Sequence, residues 1–219
     1  ARTVMSVHNI NIEDILQESC KVFNTNLGLL KGYVHKIVMK QDTIPIQHSL
    51  GRVPLAARPE VKKLLNEMLQ NGVIEPIESS LWISPVVIAT KPDGSYRFCV
   101  DLRSLNANVV ADTFPLPNIN ELVLLLKGGG YFTKLDLRHA YHQIKLHPSS
   151  KHLTAFITTE GTYQFTRLTF GLCSAASVFQ RMMSELFKGM SNVLYFQDDI
   201  LVFGDTVDSH NSTLRQVLH

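Results

Sequence analysis

Residues 193–203 read Val193-Leu-Tyr-Phe-Gln-Asp198-Asp199-Ile-Leu-Val-Phe203, two adjacent carboxylates held between apolar runs. β-Branched, aromatic and aliphatic residues on both sides of a short polar break predict a β-hairpin with the acids at its tip. Adjacent acids repel, and burying an unpaired ionised carboxylate is costly. A solvated Asp-Asp turn accounts for such a pair, and a shared cation is the other explanation. A second acid bears on the choice: Asp136, in Phe132-Thr-Lys-Leu-Asp136-Leu137, stands in a similar run. Acids at the ends of separate strands are what divalent-metal phosphoryl transfer requires.

Working outward, residues 1–30 read as a short helix plus linker, 32–39 as a strand, and 45–59 as an extended stretch broken by Pro45, Gly51, Pro54 and Pro59. Val61, Leu64, Leu65, Met68 and Leu69 have helical spacing, with Pro59 near the first turn and Asn71-Gly72 as the stop. Residues 82–90 and 96–102 flank Lys91-Pro-Asp-Gly-Ser95 and predict a hairpin. A proline-punctuated loop at 113–117 precedes a helix over 118–127 that ends at Gly128-Gly129-Gly130. The strand carrying Asp136 follows, with a helical turn at 138–143. A hairpin over 153–168 turns at Glu160-Gly161, and a helix over 175–188 stops at Gly189. Its stripe of Val178, Phe179, Met182, Met183, Leu186 and Phe187 is core packing. Asp208 or Ser209 starts a final helix. This order predicts an α+β fold, an antiparallel sheet with helices on one face, rather than a doubly wound sheet.

The 219 residues are 45% hydrophobic and 18% charged, enough for a substantial core. The net charge of +2 is too weak to announce nucleic-acid binding. Such binding would come from local clusters such as Lys36, Lys40, Arg52, Arg58, Lys62 and Lys63, which equally fit a solvated face. Cys20, Cys99 and Cys173 are lone and widely spaced, which supports neither a zinc site nor a disulfide framework and fits a reducing compartment. His35, His48 and His152 read as ordinary surface or packed side chains. No run approaches a membrane span and no signal-peptide pattern is seen, so membrane and secretory routes lack support. A start without Met and an abrupt last segment give the expectation of a fragment.

Several separated motifs then agree. Asn71-Gly-Val-Ile-Glu-Pro76, Ser84-Pro-Val-Val87 and Lys91-Pro-Asp-Gly-Ser-Tyr-Arg97-Phe-Cys-Val-Asp101-Leu-Arg103-Ser-Leu-Asn106 closely resemble the fingers of gypsy-type LTR-retrotransposon reverse transcriptases. Phe132–Leu137, Tyr141-His-Gln-Ile144, Phe170-Gly171-Leu-Cys173 and Phe179-Gln180-Arg-Met182 are similar to that family's palm motifs, in its order. Phe196-Gln197-Asp198-Asp199 resembles its aromatic-x-Asp-Asp signature. The likeness runs from about residue 20 to the end of the chain.

The resemblance implies a right-hand polymerase: 1–56 a lead-in, 57–115 the fingers, 116–219 a partial palm, with 152–168 packing with the fingers and no thumb. It implies an RNA-directed DNA polymerase in which a primer 3′-hydroxyl attacks the α-phosphate of a dNTP at two Mg²⁺ ions, Mn²⁺ being able to substitute. Asp136 would bridge both ions, Asp198 would be the second main ligand, and Asp199 an accessory. Lys91 and Arg97 would hold the triphosphate. Tyr141 would exclude a 2′-hydroxyl, and Phe170 and Gly171 would line the nucleotide pocket. Asp101, Arg103, Asn106, Gln180, Phe196 and Gln197 would support or contact template and primer, although Gln180 also reads as a surface residue. The implied partners are an RNA or DNA template with primer, and RNase H and integrase in a larger Pol polyprotein. The implied location is cytoplasmic, in a virus-like particle or otherwise, with the nucleus as an alternative.

The chain departs from the family pattern in places. Phe196 stands where tyrosine is usual and Gln197 where an apolar residue is usual. Ala140 replaces a common glycine, Thr169 a common proline, and Ser174-Ala-Ala176 the usual Asn-Ala-Pro. No metal ligand is lost. Two further readings stay open. One is a decayed or domesticated copy that only binds nucleic acid. The other is a viral RNA-dependent RNA polymerase, against which the bulky Tyr141 argues.

Overall fold

A computed structural model describes residues 12–24, 26–90, 92, 94 and 96–219. Helix α1 spans Ile12–Glu18 and strand β1 only Val34–His35. After an irregular stretch and a 3₁₀ turn at Leu55–Ala57, helix α2 covers Arg58–Gln70, with proline in its first turn and Val61 and Leu65 buried. Strands β2 (Ile74–Pro76), β3 (Ser84–Thr90) and β4 (Tyr96–Val100) lead to a single helical turn, α3, at Arg103–Asn106. Helix α4 (Ile119–Leu125) starts where the Asn118 side chain accepts from the Asn120 amide. Strand β5 (Tyr131–Asp136) is followed by a 3₁₀ turn at Ala140–Gln143, β6 (Lys145–Leu146) and α5 (Pro148–Lys151). Strands β7 (Phe156–Thr158) and β8 (Gly161–Phe165), helix α6 (Ala175–Leu186), strands β9 (Val193–Phe196) and β10 (Asp199–Gly204), and helix α7 (Val207–Leu218) complete the chain.

The elements form two units that interleave in the sequence. One holds residues 26–113 and 139–179, the other 1–25, 114–138 and 180–219. In the first, a five-stranded sheet runs β2-β8-β7-β3-β4, and β1 pairs in parallel with β6. Phe156 on β7 is fully buried, with Phe98, Tyr163 and Phe165 around it at ring distances of 5.7, 5.9 and 5.3 Å. In the second, β10 lies between β5 and β9, and α7 packs on β10. Gly204 permits that packing, since a Cβ there would come within 2.5 Å of the His210 backbone nitrogen.

The α+β class with mostly antiparallel pairing is what the structure shows, and two details differ from expectation. The strand expected over 32–39 shrinks to two residues, with Gly32 at φ +80 and the pairing made in parallel with β6. The hairpin expected over 153–168 begins later, because Leu153 is taken into a 3₁₀ turn at His152–Thr154. Its strand β7 also runs parallel beside β3, Ser84 facing Phe156.

Candidate active site

Three carboxylates meet at one end of the β5-β10-β9 sheet. The antiparallel register sets Asp199 directly opposite Asp136, and directly opposed residues share a sheet face. Asp198 lies with Gln197 in the turn between β9 and β10, and its carbonyl accepts from the Leu137 amide at 2.9 Å. The turn is tight enough to hold Gln197 at φ +52, in the left-handed region.

Their electrostatics are unequal. Lys134 sits two residues before Asp136, hence on its face of β5, and its Nζ pairs with Asp199 Oδ1 at 3.0 Å. Asp136 and Asp199 are exposed, whereas Asp198 is partly enclosed. Burial, then the charges of Asp136 and Asp199, pushes the Asp198 carboxyl above its ordinary range. One of its oxygens, Oδ1, is buried without a hydrogen-bond partner. Asp199 thus has a cationic partner in Lys134, whereas Asp198 keeps an unpartnered buried oxygen beside Asp136.

That deficit fits a hard divalent cation, which binds carboxylate oxygens. Among the described residues no three His, Cys, Asp or Glu side chains are gathered into a ready-made metal cage. Mg²⁺ seldom needs one, because it keeps waters and takes substrate phosphate oxygens alongside one or two carboxylates. The donor set therefore fits a cation whose shell is completed from outside the chain.

Gln180 belongs to the same unit and is not the surface residue that its sequence also allowed. It is 3% exposed, and its Nε2 donates to the Tyr195 carbonyl at 3.4 Å. So enclosed a side chain meets β9 from within the unit. Phe196 is half-buried, and Gln197 is exposed at the hairpin tip.

The other unit carries an aromatic shelf. Tyr141 lies in the 3₁₀ turn that follows His139, itself at φ +50. At 8% exposure it stands edge-on to Phe170 at 4.6 Å and to Phe179 at 5.5 Å. Phe170 is 42% exposed, and Gly171 holds φ +86, which a side chain would resist. Asn106 reaches this loop with both ends of its amide, donating to the Gly171 carbonyl at 2.7 Å and accepting from the Cys173 amide at 2.9 Å. Asp101 and Arg103 instead satisfy one another, Nη2 to Oδ2 at 2.6 Å and Nε to Oδ1 at 2.8 Å. That pairing holds the Asp101 carboxyl below its usual range.

Beside the shelf is a pocket of about 410 Å³, walled by Leu64 and Met68 of α2, Tyr96, Arg97 and Phe98 of β4, and His142 among others. Arg97 is exposed at this wall; Lys91 lies outside the described residues. His142 stacks on His139 and meets Phe170 edge-on at 6.0 Å. Burial first, then the charges of His139 and Arg167, pushes its imidazole down to about 4, so it is neutral at pH 7.

Sequence reasoning passed over Lys134, the tether made by Asn106, and His142. Lys134 left a signal, a cation two residues before the acid on an alternating strand. The other two depend on contacts between residues far apart in the chain.

The chain is similar to known proteins along most of its length. Residues 89–219 match the family model described as reverse transcriptase (RNA-dependent DNA polymerase). The retrovirus-related Pol polyprotein from transposon opus of Drosophila melanogaster is 40% identical over 182 residues, covering 80% of this chain. That from transposon gypsy of the same organism is 31% identical over 166 residues, covering 72%. The chain spans only 18% and 16% of those two polyproteins. Among solved structures, the foamy viral protease-reverse transcriptase with RNA/DNA hybrid superimposes with a TM-score of 0.87 at 21% identity, covering 94% of this chain and 28% of that one. The native prototype foamy virus enzyme gives 0.85 at 24% identity, with coverage of 94% and 28%. At such identity these two show the fold alone.

Proposed function

The chain belongs to the reverse transcriptase (RNA-dependent DNA polymerase) family, and on that premise we propose that it adds deoxynucleotides to a primer on an RNA or DNA template. The observation that carries this reading is the partnerless Oδ1 of Asp198, set in a turn beside Asp136 at the end of one sheet. Asp136 and Asp198 would hold two Mg²⁺ ions, with Asp199 as an accessory. When bound, those ions activate the primer 3′-hydroxyl and stabilise the leaving pyrophosphate.

The remaining roles fall to the chain's own side chains. Lys134 partners Asp199, which would leave Asp136 and Asp198 as the main ligands. Arg97 offers a planar fork to triphosphate oxygens, and Lys91 a point charge. Tyr141 would exclude a 2′-hydroxyl and so favour dNTPs. Gly171 lets backbone approach the nucleotide beside Phe170. The stretch 57–115 serves as fingers and 116–219 as palm, with 152–168 joined to the fingers by the β3–β7 pairing. A neighbour captured with RNA/DNA hybrid and another with double-stranded DNA support a primer–template as partner.

A second reading, a copy that binds nucleic acid without polymerising, draws on Phe196 and Gln197 at the hairpin. Primer extension on an RNA template with Mg²⁺ separates the two, using the full-length protein that carries this chain. We expect incorporation of dNTPs over rNTPs. Primer binding without extension would establish the second reading instead.

A further inference from the structure

Asp101, Arg103 and Asn106 are three polar residues following one another past β4, yet their surroundings differ. Asp101 and Arg103 pair at the surface. Asn106 turns to the loop at 170–173 and engages it at 2.7 and 2.9 Å. A backbone carbonyl only accepts and a backbone N–H only donates, so these partners fix which way the amide faces. No single rotation of the side chain could satisfy either partner with the wrong end.

Asn106 is itself rigidly mounted. Leu102 and Leu105 on either side are buried, and the Asn106 amide donates to the Leu102 carbonyl at 2.8 Å. Ser104 Oγ lies 2.9 Å from His48 Nε2, and Asn108 Nδ2 donates to the Ser104 carbonyl at 2.9 Å. The tethered loop, by contrast, is irregular and outward-facing: Phe170, Gly171 and Cys173 are all exposed. Gly171 directly follows the ring that stands 4.6 Å from Tyr141. A shift at Gly171 therefore carries Phe170 away from the Tyr141 edge.

We infer that Asn106 is a positioning residue for sugar selection, holding Gly171 and Phe170 in place against Tyr141 without touching nucleotide or template itself. The inference rests on the polymerase reading above. It gives Asn106, expected to support or contact template and primer, a supporting contact inside the protein.

Two variants of the full-length protein that carries this chain test it. Asn106→Ala removes both hydrogen bonds. Asn106→Asp keeps an oxygen for the Cys173 amide but turns another toward the Gly171 carbonyl. Hydrogen–deuterium exchange of the Cys173 amide should quicken by roughly tenfold in Asn106→Ala and stay slow in Asn106→Asp. In primer extension both variants should raise the dNTP KM by roughly tenfold, hold kcat within about twofold, and narrow the dNTP-over-rNTP preference. Unchanged exchange in Asn106→Ala overturns the tether while leaving the polymerase reading intact. Faster exchange with unaltered KM and sugar preference reduces Asn106 to a strut and overturns the positioning role. A wild-type protein that extends no primer overturns the polymerase reading and this role together.

Discussion

The carboxylate turn and the aromatic shelf are built on opposite principles. At the turn, three acids crowd together, one buried oxygen lacks a partner, and Gln197 is held in the left-handed region. Such groups cost stability and persist where a ligand is needed to complete them. The shelf is instead tied together by hydrogen bonds and ring contacts. Asn106 is bonded twice, Tyr141 is wedged between two rings, and His142 is kept neutral among aromatic neighbours. On the proposed reading, groups that would attract cations are left wanting charge, while groups that would exclude atoms are held in contact.

Substituting the acids should break this contrast most visibly. Asp136→Asn and Asp198→Asn are each expected to lower primer extension by at least about a thousandfold. Asp198→Asn should at the same time raise the melting temperature by about 2–4 °C, because a partly buried, repelled charge is gone. Calorimetry that finds Asp198→Asn less stable than wild type would remove the idea that the turn is under strain.

On the shelf, activity and stability should instead fall together. Tyr141→Ala is expected to weaken dNTP-over-rNTP discrimination by roughly ten- to two-hundredfold and to destabilise the fold by about 3 kcal/mol through the cavity it leaves. Competition assays and denaturant melts check the two halves. Discrimination that survives the substitution would withdraw Tyr141 as the selecting residue.

The smallest effect at neutral pH concerns His142. Its ring is pushed from 6.5 down to about 4 in the folded chain. Between those values the unfolded chain takes up a proton that the folded one refuses, so stability falls as pH drops through this window. The expected loss is about 2–3 kcal/mol by the acid end, with none above pH 7. His142→Phe should flatten this part of the stability–pH curve. A variant with the wild-type slope would place the acid sensitivity elsewhere.

Much of this was legible in the chain because local rules governed it. Asp136, Asp198 and Asp199 stand out as acids inside strand-forming runs. Helix α2 follows from apolar spacing between Pro59 and Asn71-Gly72, and β3 and β4 from the turn residues between them. What stayed hidden was made by residues far apart. The β3–β7 pairing joins Ser84 to Phe156, and the Asn106 tether reaches Gly171 and Cys173. Gln180 could not be assigned to core or surface, because a glutamine on the margin of an apolar helix stripe suits either.

The interleaving of the two units also bears on how the protein comes into being. Helix α1, near the start, packs on α7, near the end, and Glu18 meets Arg215 at 3.0 Å. The unit with the three acids thus closes on itself only after residue 215 has left the ribosome. The other unit is complete once residue 179 has emerged. The order of synthesis thus lets the aromatic shelf acquire its structure before the acids acquire theirs.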